Sequence, residues 1–181
     1  MITKFNSMSK ITVYHLAIFA FSIIIMGCQK DSSNPGEDVN SNYLKVSVDG
    51  VEKNYPTVSA YWVEGGNYLS INAVDQNKES LAITVMSETS RVPIGQYSLQ
   101  DNSGFTLLSM HSLFNAENQL HHTATRNTVA VEDDFQLKID KITNSSVEGS
   151  FTGTLVRVEG LNTLGKIVLT GGKFKTTIKP N

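Results

Sequence analysis

The segment from Tyr43 to Asn181 is predicted to be all-β, an antiparallel β-sandwich or flattened β-barrel of about 8–10 strands. Three observations predict it. Apolar and polar residues alternate with period two over most of its length. The alternating runs are separated by Gly, Asn and Asp, the residues that tight turns require. No stretch carries a sustained apolar stripe at helical spacing.

The elements follow in chain order. Leu44, Val46 and Val48 alternate with Lys45 and Ser47, and Asp49-Gly50 then supplies a two-residue hairpin turn into Val51–Tyr55. Ala60–Val63 and Tyr68–Val74 flank Glu64-Gly65-Gly66-Asn67, which predicts a second hairpin. After a polar turn at Asp75–Lys78, Leu81, Ile83 and Val85 alternate with Ala82, Thr84 and Met86. Further strands are expected at Gln96–Leu99, Gly104–Ser109, Thr128–Val131 and Phe135–Ile142. Ser109–His122 has no clear period and is read as a long loop or a strand pair with a ragged connection. At the end of the chain, Phe174, Thr176 and Ile178 alternate with Lys173, Lys175 and Lys179, a half-buried strand. Gly149 and Gly153 share the parity of Phe151, and a glycine pair around an aromatic marks a coil or bulge where sheets close. Gly171-Gly172 offers a positive φ for a turn or bulge before the last strand. The same parity argument sends Phe151 and Phe174 into a common core.

Upstream of this domain the chain is built differently. Lys4 and Lys10 precede a nearly continuous apolar run from Ile11 to Met26, interrupted by Tyr14, His15 and Ser22. The run is short of the roughly 20 apolar residues a membrane-spanning helix needs and fits a signal-peptide core. Ile25-Met26-Gly27-Cys28 ends it, and Cys28 is the only cysteine. The four residues resemble a bacterial lipobox, which implies cleavage between Gly27 and Cys28 and a diacylglycerol thioether on Cys28. Residues 1–27 are thus the expected lipoprotein signal peptide, 28–42 a lipid-anchored tether and 43–181 the β domain. Gln29-Lys30-Asp31 resembles the export signal of surface lipoproteins. The expected location is the outer membrane, with the leaflet open between the cell surface and the periplasmic side. The 14 residues Gln29–Asn42 are polar and small, and fully extended they reach about 46 Å.

Charge excludes one class of partner. Cleavage after Gly27 leaves 13 basic against 17 acidic residues, a net charge of −4. With no basic cluster in the sequence, nothing suggests nucleic acid. With Cys28 lipidated no thiol remains, so disulfides and cysteine-based zinc sites are excluded.

The strings Val147-Glu148-Gly149-Ser150-Phe151-Thr152-Gly153-Thr154-Leu155 and Ile167–Phe174, with Val48-Asp49-Gly50-Val51 and Pro93-Ile94-Gly95-Gln96-Tyr97, resemble an uncharacterised family of small bacterial lipoproteins. The likeness covers roughly Tyr43–Ile178. It implies a lipobox, a tether and one all-β domain, and it carries no catalytic residue.

Candidates for chemistry are few. His121-His122 and the acidic Glu132-Asp133-Asp134 are the best metal candidates, but neighbouring strand residues point to opposite faces. They are read as exposed loop histidines and a solvated turn, and His111 likewise as an exposed histidine. No Gly-x-Ser-x-Gly marks a hydrolase nucleophile, and the acidic run lacks the spacing of a calcium loop. Asn144-Ser145-Ser146 matches a glycosylation acceptor, which means little in this setting. Tyr55, Tyr61, Trp62 and Tyr68 cluster, and of Tyr61 and Trp62 one must face the core while the other is free to stack on a sugar or partner. No catalytic, metal or cofactor site is therefore assigned. The expectation is a non-enzymatic module that presents a surface to a glycan, small ligand or protein partner. An envelope hydrolase or metal-dependent enzyme with an unrecognised site, and a structural envelope protein, are the alternatives.

Overall fold

The computed structural model describes residues 42–87, 89–99, 101, 103–114, 119–125 and 132–179. The signal peptide, Cys28, the tether as far as residue 41 and the strand expected at Thr128–Val131 lie outside them. Eleven strands are present among the described residues: β1 (Tyr43–Val48), β2 (Val51–Tyr55), β3 (Thr57–Val63), β4 (Tyr68–Val74), β5 (Ser80–Ser87), β6 (Gly95–Ser98), β7 (Phe105–Phe114), β8 (Gln119–Ala124), β9 (Asp134–Ile142), β10 (Ser146–Glu159) and β11 (Asn162–Lys179). The count passes the expected range because Ser109–His122 belongs to a strand pair, β7 with β8, in register from Ser109↔Ala124 to Phe114↔Gln119.

Hydrogen bonding runs β2-β1-β11-β3-β4-β5-β7-β8-β10-β9-β6, and β10 also pairs with β11, which closes the sheet into a ring. The ring is a flattened barrel. Strands β2-β1-β11-β10-β9-β6 form one face and β3-β4-β5-β7-β8 the other, and the inward residues of both make one core. Two narrow seams join the faces. One is the single pair Val156↔Thr123 between β10 and β8; the other is Ile178↔Ala60 and Lys179↔Tyr61 between β11 and β3.

That second seam is parallel, against the expectation of antiparallel pairing throughout. The chain direction explains it. β1 is antiparallel to both β11 and β2, so β2 runs the same way as β11. Only Pro56, which lacks an N–H donor and so ends a ladder, separates β2 from β3. β3 continues in the direction of β2 and must meet β11 in parallel.

The first hairpin has the turn its sequence predicts. Asp49 (φ 49°) and Gly50 (φ 83°) are both left-handed, as a primed hairpin turn requires. Asp49 Oδ1 also accepts from Val168 N at 2.8 Å, tying the turn to β11.

Gly171-Gly172 lies inside β11, so it makes a bulge and not a turn between two strands. Two steps on β10, from Phe151 to Gly153, face three on β11, from Gly172 to Leu169. β1 shows the same offset, with Lys45 opposite Lys173 and Ser47 opposite Thr170. The extra residue, Gly171 at φ 62°, reverses the parity of the strand. Ile167 and Leu169 are buried before it, and Phe174, Thr176 and Ile178 after it. The ring of Phe151 covers Gly172 so closely that a Cβ there would lie 2.6 Å from its carbons. Phe151 stacks on Phe135 (5.8 Å between centroids) and reaches Phe174 at 6.3 Å, as parity predicts.

Phe174 is fully buried, whereas Lys173 is exposed on the other side of the strand. Phe174→Ala is expected to cost about 3–5 kcal/mol through lost burial and the cavity left behind. Its urea midpoint should drop sharply, while that of Lys173→Ala should barely move; equal shifts would contradict a half-buried β11.

Candidate functional site

Two polar places stand out, one inside the barrel and one on its six-stranded face. The inner one centres on Glu79, just before β5 and 4% exposed. Asp75 fixes the approach, its Oδ1 accepting from the backbone N–H groups of Asn77 and Glu79 at 2.8 Å each. Glu79 Oε1 accepts from Tyr55 Oη at 3.1 Å and meets His111 Nε2 at 2.8 Å; Oε2 meets Lys53 Nζ at 2.7 Å. Burial works to raise the Glu79 pKa, but the bonds and charges of Lys53 and His111 outweigh it and hold the carboxyl below its ordinary value. Burial, then the Glu79 charge, pushes the Tyr55 phenol up.

Register extends the cluster. Leu81 pairs with His111, and His111 with His122, so all three share the inward face. The two imidazoles lie 6.5 Å apart. Burial, followed by the neighbouring His111 and Arg157, depresses the His122 pKa, with Asp49 opposing. His111 Nδ1, His122 Nδ1 and Arg157 Nε are buried with no hydrogen-bond partner among the described residues. Such atoms usually hold ordered water.

These positions correct the sequence reading. His111 (1% exposed) and His122 (8%) are core residues on strands and not exposed loop histidines. His121 does take the opposite face from His122, and its Nδ1 bonds Ser112 Oγ at 2.8 Å. Asp133 is buried too, against the expectation of a solvated turn, and its Oδ2 accepts from Thr125 N at 2.8 Å. Alternation of strand parity buries His111 and His122, Asp133 is buried just before β9, and no local signal distinguishes either from exposure in a loop. Among the described residues no group of three or more His, Cys, Asp or Glu is placed to hold a metal ion.

Half of the aromatic cluster is internal. Tyr55 binds Glu79, and Trp62 is buried beneath the Arg91 guanidinium at 4.7 Å. Tyr61 faces outward with Lys179 Nζ 5.5 Å from its ring. Tyr68 lines a shallow cleft of about 510 Å³ with Met86 and Phe105.

The outer site is a cleft of about 640 Å³ above the β11 bulge. Gly171, Gly172 and Phe151 form its floor, and Gln96, Gln136, Lys138, Ser150, Thr152 and Lys173 stand around it. One end is fixed by Asp101, which accepts from Ser98 N and Ser103 N at 2.9 Å each. Burial raises the Asp101 pKa less than these bonds lower it, so the carboxyl stays below its usual range. Beneath it, Tyr97 Oη donates to Pro93 O at 2.6 Å, and burial, then Asp101, pushes its pKa up to about 12. The side chains of Gln96, Gln136, Ser150, Thr152 and Lys173 make no hydrogen bond or ion pair with other described residues. Free amides, hydroxyls and an ammonium at the rim of a cleft are groups open to a ligand. Of all this the sequence marks only the two glycines, because outward polar residues on strands are the rule.

No family model, curated protein or solved structure matches this chain. Among the described residues no helix is long and apolar enough to cross a membrane.

The inner cluster has a pH signature. His122 titrates lower folded than free, so its stabilising contribution is complete above the ordinary value of 6.5 and is lost as pH falls toward the folded value. Glu79 loses its contribution only below the ordinary carboxylate value of 4.5. Between about pH 7 and pH 5 the thermal midpoint should therefore fall more steeply in the wild type than in His122→Gln. Parallel slopes would show that His122 is not a buried neutral imidazole.

Proposed function

We propose that this chain is an outer-membrane-anchored lipoprotein whose β domain is a non-enzymatic binding module for a glycan or other small polar ligand. The observation that carries the reading is the cleft over the bulge, where Gln96, Gln136, Ser150, Thr152 and Lys173 have no side-chain partner among the described residues. The strands fix where these groups are rooted, and their side chains are free to turn toward a ligand. The arrangement nearest to catalytic chemistry, Glu79 with His111, is buried in the core, and among the described residues it bonds Tyr55 and Lys53 and no serine or threonine hydroxyl. The lipobox-like Ile25-Met26-Gly27-Cys28 and the polar stretch after it support a tethered presentation of the cleft, in keeping with the small lipoproteins this sequence resembles. Two or more acyl chains hold such a protein firmly where one would not.

The test is a glycan array and pull-down with the full-length protein in neutral detergent, beside Gln136→Ala and Cys28→Ser. At least one glycan class should be retained by the wild type and lost with Gln136→Ala, and Cys28→Ser should not label with palmitate. Retention unchanged by Gln136→Ala, or no retention at all, would overturn the cleft as the site. Continued labelling of Cys28→Ser would overturn the anchor.

A further inference from the structure

The strand register places one outward row of side chains across the whole six-stranded face. Gln96 on β6 pairs with Lys138 on β9, and Lys138 with Ser150 on β10. Ser150 pairs with Lys173 on β11, Lys173 with Lys45 on β1, and Lys45 with Asn54 on β2. Ser150 is partly exposed and the other five are exposed, and the row contains no acidic residue. Three of its six members are lysines, on a mature chain whose net charge is −4.

The row crosses the cleft at Gln96, Lys138, Ser150 and Lys173. Of the lysines, Lys138 is shared with Asp140 on its own strand (2.6 Å) and Lys45 lies over the Tyr43 ring at 5.7 Å. Lys173, at the centre, has no ion-pair partner among the described residues. Two like charges directly opposite on neighbouring strands, Lys173 and Lys45, are unfavourable for the sheet alone. They become favourable when an anion lies between them.

We infer that this row binds an acidic polysaccharide, whose carboxylates sit at Lys173, Lys45 and Lys138 while Gln96, Ser150 and Asn54 take its hydroxyls. The inference rests on the binding-module reading and names its ligand class. Neighbouring strands are about 4.8 Å apart, comparable to one sugar unit of an extended chain, so a linear glycan lying across the strands meets one side chain per unit. A nucleic acid fits less well, since the row offers no aromatic side chain for base stacking. A membrane surface fits less well too, because the row has no apolar side chain to insert.

The experiment uses full-length protein in neutral detergent and four immobilised probes: polygalacturonate, neutral dextran, a single-stranded DNA oligonucleotide and phosphatidylglycerol vesicles. Polygalacturonate should be held, and weakened by added salt. Lys173→Gln should weaken it about tenfold, the loss of one charge-assisted hydrogen bond. Lys166→Gln, an exposed lysine outside the row, should leave it unchanged, with the circular dichroism of both variants like the wild type. Equal binding of dextran, or no effect of Lys173→Gln, would overturn the acidic ligand while a positive glycan array kept the binding module. DNA or vesicles held as tightly as polygalacturonate would overturn it in favour of an unspecific anion surface or a membrane contact. A failure of polygalacturonate together with an empty array would remove both readings.

Discussion

The packing of the Phe151 ring onto Gly172 is the contact on which the rest of the structure depends. It sits where β11 takes one residue more than its neighbours, and that extra residue turns the strand over. Before the bulge β11 buries Ile167 and Leu169; after it, Phe174, Thr176 and Ile178. A straight strand would send one of these sets into solvent. With the bulge, a single long strand pairs with β10 and β1 and still reaches β3 at its end, so both faces of the barrel hang on it. The seams elsewhere are one pair and two pairs wide.

The same feature makes the outer cleft. Gly171 leaves the outer surface without a side chain over the bulge, Gly172 makes room for the Phe151 ring on the inner side, and the strands to either side raise their polar residues around the gap. Structure and candidate function are therefore linked by covalent geometry. The residue that corrects the parity of the core also clears the floor of the cleft. By contrast the interior cluster of Lys53, Glu79, His111 and His122 is a stabilising network that closes one region of the core. It shows the usual character of buried charge, in which each group is tolerable only while its partner is present.

Much of this was legible in the sequence. Alternation located most of the strands, Asp49-Gly50 located the first hairpin, and parity put Phe151 and Phe174 together, because period-two patterns report directly which face is buried. The parallel seam was not legible, since it follows from the chain crossing a corner at Pro56 and not from any local pattern. The buried histidines escape the pattern for a related reason. Within Ser109–His122 the inward positions hold Ser109 and His111, polar residues where the pattern expects apolar ones, so the strand loses its signal. The partner of His111, Glu79, lies 32 residues away in sequence, and Lys53, which bonds Glu79 in turn, lies 26 residues beyond it. The cleft was invisible because its walls are ordinary outward residues, and only three-dimensional register collects Gln96, Lys138, Ser150 and Lys173 into a row.

The most direct test of this account is a proton NMR measurement at the bulge. The ring of Phe151 lies against Gly172, and its shielding should move a Gly172 Hα resonance well upfield, with nuclear Overhauser contacts from the Phe151 ring to Gly172 and to the Phe174 ring. Substituting Phe151 by Leu should return the Gly172 resonance to its ordinary position. An unshifted Gly172, or contacts from Phe151 to Gly171 or Lys173 in its place, would contradict the bulge register and with it both the core parity and the cleft above.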